Sequence, residues 1–137
     1  MRLSLVLDCT DPTALTPFWC AALSYRQVLE LPSFTVLRPA EGEPAGSPFI
    51  LQRVPEPRRG KNRMHLDLHP PLEVGVPGLV ERLEGLGGSR LGGPVTELLE
   101  TLGVWWQVMA DPEGNELCVV ADPDHPAPEE WTAGPVG

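Results

Sequence analysis

Three polar side chains, His65, Asp67 and His69, alternate along one short segment, and their types could do chemistry. Residues two apart on a β-strand face the same side of a sheet, with side-chain bases about 6–7 Å apart. His65 could therefore act as a general base or hydrogen-bond donor, with Asp67 orienting its ring. The plainer interpretation is that the two hydrogen-bond each other or a neighbouring strand in a partly polar pocket. His69 precedes two prolines and is expected to be exposed.

A second group of reactive types lies in GNELCVV, residues 114–120, after the stretch DPEG. Asp, Pro and Gly at the first, second and fourth positions of DPEG are typical of a type I turn, so we assign them to a hairpin. Glu116 and Cys118 lie two apart on the strand that follows and should face one side. Cys118 is expected to be a small buried apolar side chain rather than a nucleophile. Glu116 is either a solvated strand end or a pocket acid.

Aromatic and basic residues add candidate ligand contacts. Trp105 and Trp106 are adjacent on a predicted strand, so they face opposite sides, and the register favours Trp106 as the inward one. An indole gives a flat apolar wall for an aromatic or conjugated ligand, although both residues could simply be core. Arg63 shares the alternation of His65 and Asp67 and could pair with an anionic substrate.

His65 and Asp67 also form an HxD pair, which non-haem iron oxygenases complete with a distant second histidine. The one histidine beyond His69 is His125, in a Pro-rich tail. The alternation of predicted helices and strands along the chain argues against the all-β barrel in which this motif normally occurs.

The elements that must position these residues come in two similar runs. The first run has predicted strands at 3–7, 26–31, 34–38 and 49–54. Its helix begins with Asp11 as N-cap and Pro12 at the first position, and Pro17 either kinks it or marks a second start at Thr16. The second run has strands at 64–69, 95–101, 104–110 and 116–120, with a helix that begins at Pro77 and is stopped by two glycines, residues 87–88.

Overlaying the two runs gives an internal repeat in which Ser4 lies over His65 and Ile50 over Cys118. The predicted fold class is α+β, with two paired β-α-β-β-β modules that curl into a half-barrel and carry their helices outside. We expect a single domain with module one at about 1–54, a linker at 55–63, module two at 64–122 and a Pro-rich tail at 123–137. Trp131 is the candidate anchor of that tail.

Composition restricts the class of protein. At 137 residues, with 42% hydrophobic and 21% charged residues, the sequence suits one globular domain rather than a disordered chain. A formal net charge of -9 argues against binding nucleic acid, which needs clustered Lys and Arg. Three scattered cysteines without a CxxC pair, and no signal peptide or membrane-span pattern, lead us to expect reduced thiols and a cytoplasmic protein.

Three segments resemble the vicinal oxygen chelate superfamily, specifically its glyoxalase-like and bleomycin-resistance-like branch: DCTDPTALTPFW (8–19), KNRMHLDL (61–68) and WQVMADPEGNELCVV (106–120). The resemblance runs from Leu3 to about Asp122. It implies paired β-α-β-β-β modules around a cup-shaped pocket, and a homodimer.

In the metal-using members, divalent-metal ligands sit on the first and fourth strands of each module. Carried over, those positions are Ser4, Ile50, His65 and Cys118, and only His65 is of the usual type. Cys118 stands where a Glu is expected, which argues against glyoxalase I activity. Catalytic metals need about three protein ligands, and hard metals are poor partners for sulfur. Zinc could accept His65 and Cys118, with Glu116 as third ligand.

We therefore expect a metal-independent glyoxalase-like protein that binds a small organic molecule in the cup. The candidate catalytic residues are His65, Asp67 and Glu116, and the candidate ligand-binding residues are Trp106, Arg63 and Cys118. The alternative is a metal-dependent lyase or dioxygenase in which His65, Glu116 and Cys118 hold zinc or iron. A third hypothesis leaves the cup without a ligand and makes the domain an interaction partner only.

Overall fold

The computed structural model describes residues 2–128, and the candidate anchor Trp131 lies outside that range. Two compact units divide between Gly60 and Lys61. Each holds one four-stranded sheet and repeats the order strand, helix and three strands, with one short extra helix in the second. The predicted α+β class with two β-α-β-β-β modules is thereby confirmed. Within residues 2–128, no helix combines the length and the apolar character that a bilayer span requires.

The first unit is a mixed sheet covered by one helix. The elements are β1 (Leu5–Cys9), α1 (Pro12–Leu23), β2 (Tyr25–Glu30), β3 (Phe34–Pro39) and β4 (Phe49–Arg53). The order of the strands in the sheet is β1-β4-β3-β2, with β1 parallel to β4 and the other pairs antiparallel. The helix buries Phe18 and Trp19, and the indole of Trp19 stacks on Phe49 with ring centroids 4.9 Å apart.

The start of α1 follows the prediction, and one of the two readings of Pro17 is wrong. Asp11 caps the helix, because its Oδ1 accepts a hydrogen bond from the backbone N–H of Ala14 at 3.2 Å. Pro17 lies inside a single continuous helix. Thr16 caps no second start, since its hydroxyl donates to the carbonyl of Pro12 at 2.8 Å.

The second unit repeats this topology. Its elements are β5 (Leu66–Leu68), α2 (Gly75–Gly85), β6 (Ser89–Arg90), α3 (Leu99–Leu102), β7 (Trp105–Ala110) and β8 (Glu116–Ala121). The order of the strands in the sheet is β5-β8-β7-β6. Helix α2 begins two residues before the predicted start at Pro77 and buries Val76, Val80 and Leu83.

The strand predicted at 95–101 is wrong. Val95 makes only an isolated bridge with Trp106, and the short helix α3 follows it. Gly103 closes that helix with φ 72, and its N–H donates to the carbonyl of Leu99 at 2.9 Å. The second strand of the unit is instead the two-residue β6, which the sequence pattern did not reveal.

Strand register supports the predicted overlay of the two runs. Leu5 pairs with Phe49 in the first sheet, and Leu66 pairs with Leu117 in the second. One position further along the fourth strands are Ile50 and Cys118, while the residues just before the paired leucines are Ser4 and His65. The overlay of Ser4 on His65, and of Ile50 on Cys118, therefore agrees with the backbone pairing.

Candidate functional site

Pairing in the second sheet brings side chains from three strands to one face. Asp67 on β5 lies opposite Cys118 on β8, which lies opposite Val108 on β7. Since side chains alternate along strands, the residues two positions away join the same face. These side chains line a cavity of about 420 Å³, here called the module-two pocket, together with Lys61, His65, Leu98, Val104, Trp106, Glu116 and Val120.

Five of the six predicted site residues line this pocket, and Arg63 does not. The basic residue of the lining is Lys61 instead, which the sequence analysis did not single out. The alternation used to place Arg63 extends only as far as the strand does, and β5 begins at Leu66. Asn62 shows how the preceding segment is held, because its side-chain amide donates to the carbonyl of Glu116 at 3.4 Å.

His65 and Asp67 interact directly. The Nε2 atom of His65 lies 3.1 Å from Oδ1 of Asp67, and the side chains are 45% and 53% exposed. This contact orients the imidazole and leaves Nδ1 as the ring nitrogen that Asp67 does not engage. His69 forms a separate pair outside the pocket, with Nδ1 3.0 Å from Oδ1 of Asp122, and is exposed as predicted. Exposed pairs of this kind contribute at most about 1 kcal/mol to stability.

Cys118 is buried and holds its proton. Burial raises the pKa of the Cys118 thiol to about 11, and the charge of Asp67 and a hydrogen bond to that carboxylate act in the same direction. The charge of Glu116 adds to this effect, whereas Lys61 opposes it. At neutral pH the group is therefore a thiol that donates to Asp67 rather than a nucleophile.

Trp106 occupies the position expected of it. Its indole lines the module-two pocket, whereas Trp105 is 2% exposed and donates from Nε1 to the carbonyl of Pro126 at 3.1 Å. The prediction that Trp106 is the inward residue is confirmed. The pocket thus combines an apolar wall with titratable side chains, a composition that is typical of small-molecule sites in proteins.

The same face could hold a metal ion. Each of His65, Asp67 and Cys118 offers one ligand atom, and these three atoms lie within 4.8 Å of one another. The predicted set had Glu116 as its third member, and the geometry gathers Asp67 instead. An imidazole, a carboxylate and a thiol suit zinc in number and type, whereas hard ions such as Mn(II) bind sulfur poorly. His125 lines a different cavity, so it does not complete the HxD pair.

Comparison with known families identifies the fold. The model of a family described as a glyoxalase-like domain matches residues 4–120. The chain belongs to the glyoxalase-like domain family. The predicted resemblance to the vicinal oxygen chelate superfamily is confirmed by this match and by solved structures with the same fold. No curated protein matches the sequence.

Solved structures of glyoxalase-like proteins superpose over most of the chain. A glyoxalase/bleomycin resistance protein/dioxygenase family enzyme from Burkholderia phytofirmans PsJN has a TM-score of 0.68 at 18% identity, covering 88% of this chain and 98% of its own. A glyoxalase/bleomycin resistance protein from Albidiferax ferrireducens T118 gives 0.64 at 19%, with coverage of 88% and 98%. The fosfomycin resistance protein FosX from Listeria monocytogenes, solved with Mn(II) and sulfate, gives 0.62 at 12%, with coverage of 88% and 91%. At these identities the likeness concerns the fold alone.

Proposed function

We propose that this glyoxalase-like domain binds a small organic ligand in the module-two pocket without a metal ion. The observation that carries the proposal is the lining itself, in which Trp106 shares one cavity of about 420 Å³ with His65 and Asp67. That volume lies within the range of small-molecule sites, roughly 300–1,000 Å³.

The lining indicates the chemistry of the ligand. Leu98, Val104, Val108 and Val120 join the indole in an apolar wall that suits an aromatic or conjugated body. Lys61, His65, Asp67 and Glu116 supply donors and acceptors for its polar end. A histidine oriented by a carboxylate could also move a proton on the bound molecule. In that case His65 would act as the base, Asp67 would orient it, and Glu116 would be the second acid.

Independence from metal is supported by the donor set. The module-one positions equivalent to His65 and Cys118 hold Ser4 and Ile50, and neither replaces a histidine or a carboxylate. Metal binding to Cys118 must also remove a proton from a thiol whose pKa is about 11. The cost of that deprotonation lowers the affinity that the module-two face could offer a divalent ion.

A fragment screen with a matched pair of variants tests the proposal. Small aromatic fragments are titrated into untagged protein while the indole N–H resonances are followed by NMR, in the presence and absence of EDTA. We expect saturable shifts at Trp106 that EDTA does not change. Trp106→Ala, whose affinity is measured by calorimetry because the reporting indole is absent, should weaken binding by about fivefold, since an aromatic contact contributes on the order of 1 kcal/mol.

Leu102→Ala is the control, because Leu102 is 58% exposed and does not line the pocket. This variant should bind the fragments as the native chain does. If no fragment shifts the Trp106 resonance, or if Trp106→Ala leaves affinity unchanged, the proposal is wrong and the interaction-only hypothesis gains support.

The second candidate is a metal-dependent lyase or dioxygenase, and the convergence of His65, Asp67 and Cys118 favours it. These three residues would hold the ion, and zinc would supply a Lewis acid that polarises a substrate oxygen. Elemental analysis of protein purified without chelator separates the candidates. Near-stoichiometric zinc or iron, lost together with activity in His65→Ala, would establish this alternative over the first.

We further propose a homodimer. A row of apolar residues crosses all four strands of the first sheet, and Val6 at 53% and Leu29 at 44% are its exposed ends, with Ile50 and Val36 between them. An apolar row of this kind is typical of surfaces that another protein covers. Light scattering should report a dimer, and Val6→Asp should convert it to a monomer while Leu102→Asp does not. A native monomer would contradict the proposal.

The cysteines support a cytoplasmic location, which we also propose. Cys9 and Cys118 are buried, Cys20 is half-buried, and no two of them form a disulfide. Thiols persist in this state in a reducing compartment. Fractionation of the native host should recover the protein with the cytoplasm, and recovery outside the cell would contradict this assignment.

A further inference from the structure

A second cavity lies elsewhere on the second unit. Its volume is about 440 Å³, and it is lined by the segment leading into α2, by Trp105 and by the segment after β8. The lining includes Leu72, Val76, Glu81, Trp105 and His125. None of its lining residues belongs to the module-two pocket. We refer to it as the α2 cavity.

His125 makes this cavity more than a surface depression. Its side chain is only 4% exposed, yet Nδ1 is buried without a hydrogen-bond partner among residues 2–128. The other ring nitrogen, Nε2, lies 3.9 Å from Oδ1 of Asp124, which is longer than a hydrogen bond. Burying Nδ1 without a partner costs stability. A ligand that hydrogen-bonds to the imidazole would offset part of that cost.

The wall that carries His125 is held in place. The indole Nε1 of Trp105 donates to the carbonyl of Pro126 at 3.1 Å, and the backbone N–H of His125 donates to the carbonyl of Asp122 at 2.9 Å. Trp105 itself is 2% exposed and belongs to the core. The cavity is therefore built before any ligand arrives, which reduces the entropy lost on binding.

The chemistry of the lining selects a ligand class. Val76 and the face of Trp105 are apolar, and Leu72 at 52% exposure adds apolar surface at the rim. Glu81 is exposed and, His125 apart, is the one charged side chain that lines the cavity within residues 2–128. A carboxylate in that position disfavours an anion. The imidazole of His125 is the polar side chain on the buried part of this lining.

We propose that the α2 cavity is a second ligand site, which takes a small uncharged aromatic molecule carrying one hydroxyl group. The hydroxyl group hydrogen-bonds to the imidazole of His125, and the ring packs on Trp105 and Val76. This site is independent of the ligand in the module-two pocket, so either proposal can fail without the other.

Three probes test the proposal on the full chain. These are 4-ethylphenol, ethylbenzene, which lacks the hydroxyl, and 3-(4-hydroxyphenyl)propanoate, which adds a carboxylate. The readout is the NMR resonance of the Trp105 indole N–H, assigned with Trp105→Phe. We expect a saturable shift with 4-ethylphenol and binding at least about fivefold weaker for each of the other two. No shift, or equal affinity for ethylbenzene, overturns the proposal.

Variants locate the probe. His125→Phe should abolish the preference for 4-ethylphenol over ethylbenzene, and persistence of that preference overturns the proposal. Should circular dichroism show that this variant does not fold, Leu72→Asp at the exposed rim replaces it, with Leu102→Asp as the matched control. Leu72→Asp should weaken 4-ethylphenol binding by at least about fivefold, and Leu102→Asp should not change it. Binding that is lost in Trp106→Ala but kept in Leu72→Asp would place the probe in the module-two pocket and also overturn the proposal.

Discussion

Asp67 and Cys118 lie opposite each other across the parallel pair of β5 and β8, and the thiol donates a hydrogen bond to the carboxylate. The same carboxylate contacts Nε2 of His65 at 3.1 Å. Asp67 therefore connects two side chains that the sequence places 53 positions apart (118 minus 65). It is the residue through which the imidazole and the thiol of the module-two pocket are coupled.

The raised pKa of Cys118 predicts a stability change at high pH. Burial raises this pKa from 9.0 to about 11, so the native state retains the proton after the unfolded state has lost it. The resulting stabilisation is fully present below pH 9 and is lost as the pH rises towards 11. In urea unfolding, the free energy of unfolding of the native chain should fall over that interval by about 2–3 kcal/mol more than that of Cys118→Ala. Equal pH profiles for the two proteins would contradict the assignment.

Asp67→Asn should activate the thiol. The substitution removes the negative charge and replaces the carboxylate acceptor by a weaker neutral amide oxygen. Since the charge and the hydrogen bond of Asp67 both raise the pKa of Cys118, that pKa should fall. Alkylation of Cys118 by iodoacetamide at pH 8, measured by peptide mass spectrometry, should become faster than in the native chain.

Asp122→Asn provides the control for this substitution. Asp122 contacts His69 at 3.0 Å in a similar exposed pair and does not line the pocket. Alkylation of Cys118 in Asp122→Asn should match the native rate. Equal acceleration in both variants would point to a general loosening of the fold rather than to the Asp67 contact.

Zinc titration should distinguish the two possible third ligands. The sequence pattern favoured Glu116, whereas the ligand atoms that converge belong to His65, Asp67 and Cys118. The affinity for zinc should fall by at least about tenfold in Asp67→Ala, because one of the three converging ligands is lost. Glu116→Ala should have a smaller effect. Calorimetry at pH 7.5 measures both affinities. A larger loss in Glu116→Ala would restore the ligand set expected from sequence.

Gly103→Ala tests the turn that ends α3. Gly103 has φ 72, and an added Cβ would meet Cβ of Pro123 at 3.3 Å. The left-handed conformation costs a non-glycine residue about 1–2 kcal/mol, so the free energy of unfolding should fall by about that amount. Gly93→Ala is the matched control, since a Cβ there has no neighbour within 4 Å. Chemical denaturation of both variants gives the comparison, and equal stability would show that this turn does not need glycine.

Much of the fold could be predicted because its signals are local. The cap of α1 by Asp11 depends on residues one turn apart. Strand alternation places Trp105 and Trp106 on opposite faces of the sheet, with Trp105 in the core and Trp106 in the module-two pocket. The overlay of His65 on Ser4 came from the internal repeat, and the register of both sheets agrees with it. The cap and the alternation involve neighbours along the chain, and the repeat is a comparison of two segments of the sequence, so all three can be read without the tertiary structure.

Other features depended on the path of the backbone. Arg63 and Lys61 share the alternation of His65, yet only Lys61 reaches the pocket, because the strand begins at Leu66 and the preceding segment follows its own course. The segment ending at Leu102 is apolar enough for a strand but lies beyond the short pairing at Val95 and closes as a helix.

The sequence by itself determined the two modules, the overlay of one on the other and the residue types available to the site. Only the tertiary structure decided that Asp67 rather than Glu116 meets Cys118, and that His125 is buried beside a cavity of its own. The physical reason is that alternation assigns a side chain to a face of a sheet, while its partner on that face is chosen by long-range strand pairing and by the packing of loops. Those contacts join residues far apart in the chain, and no local pattern records them.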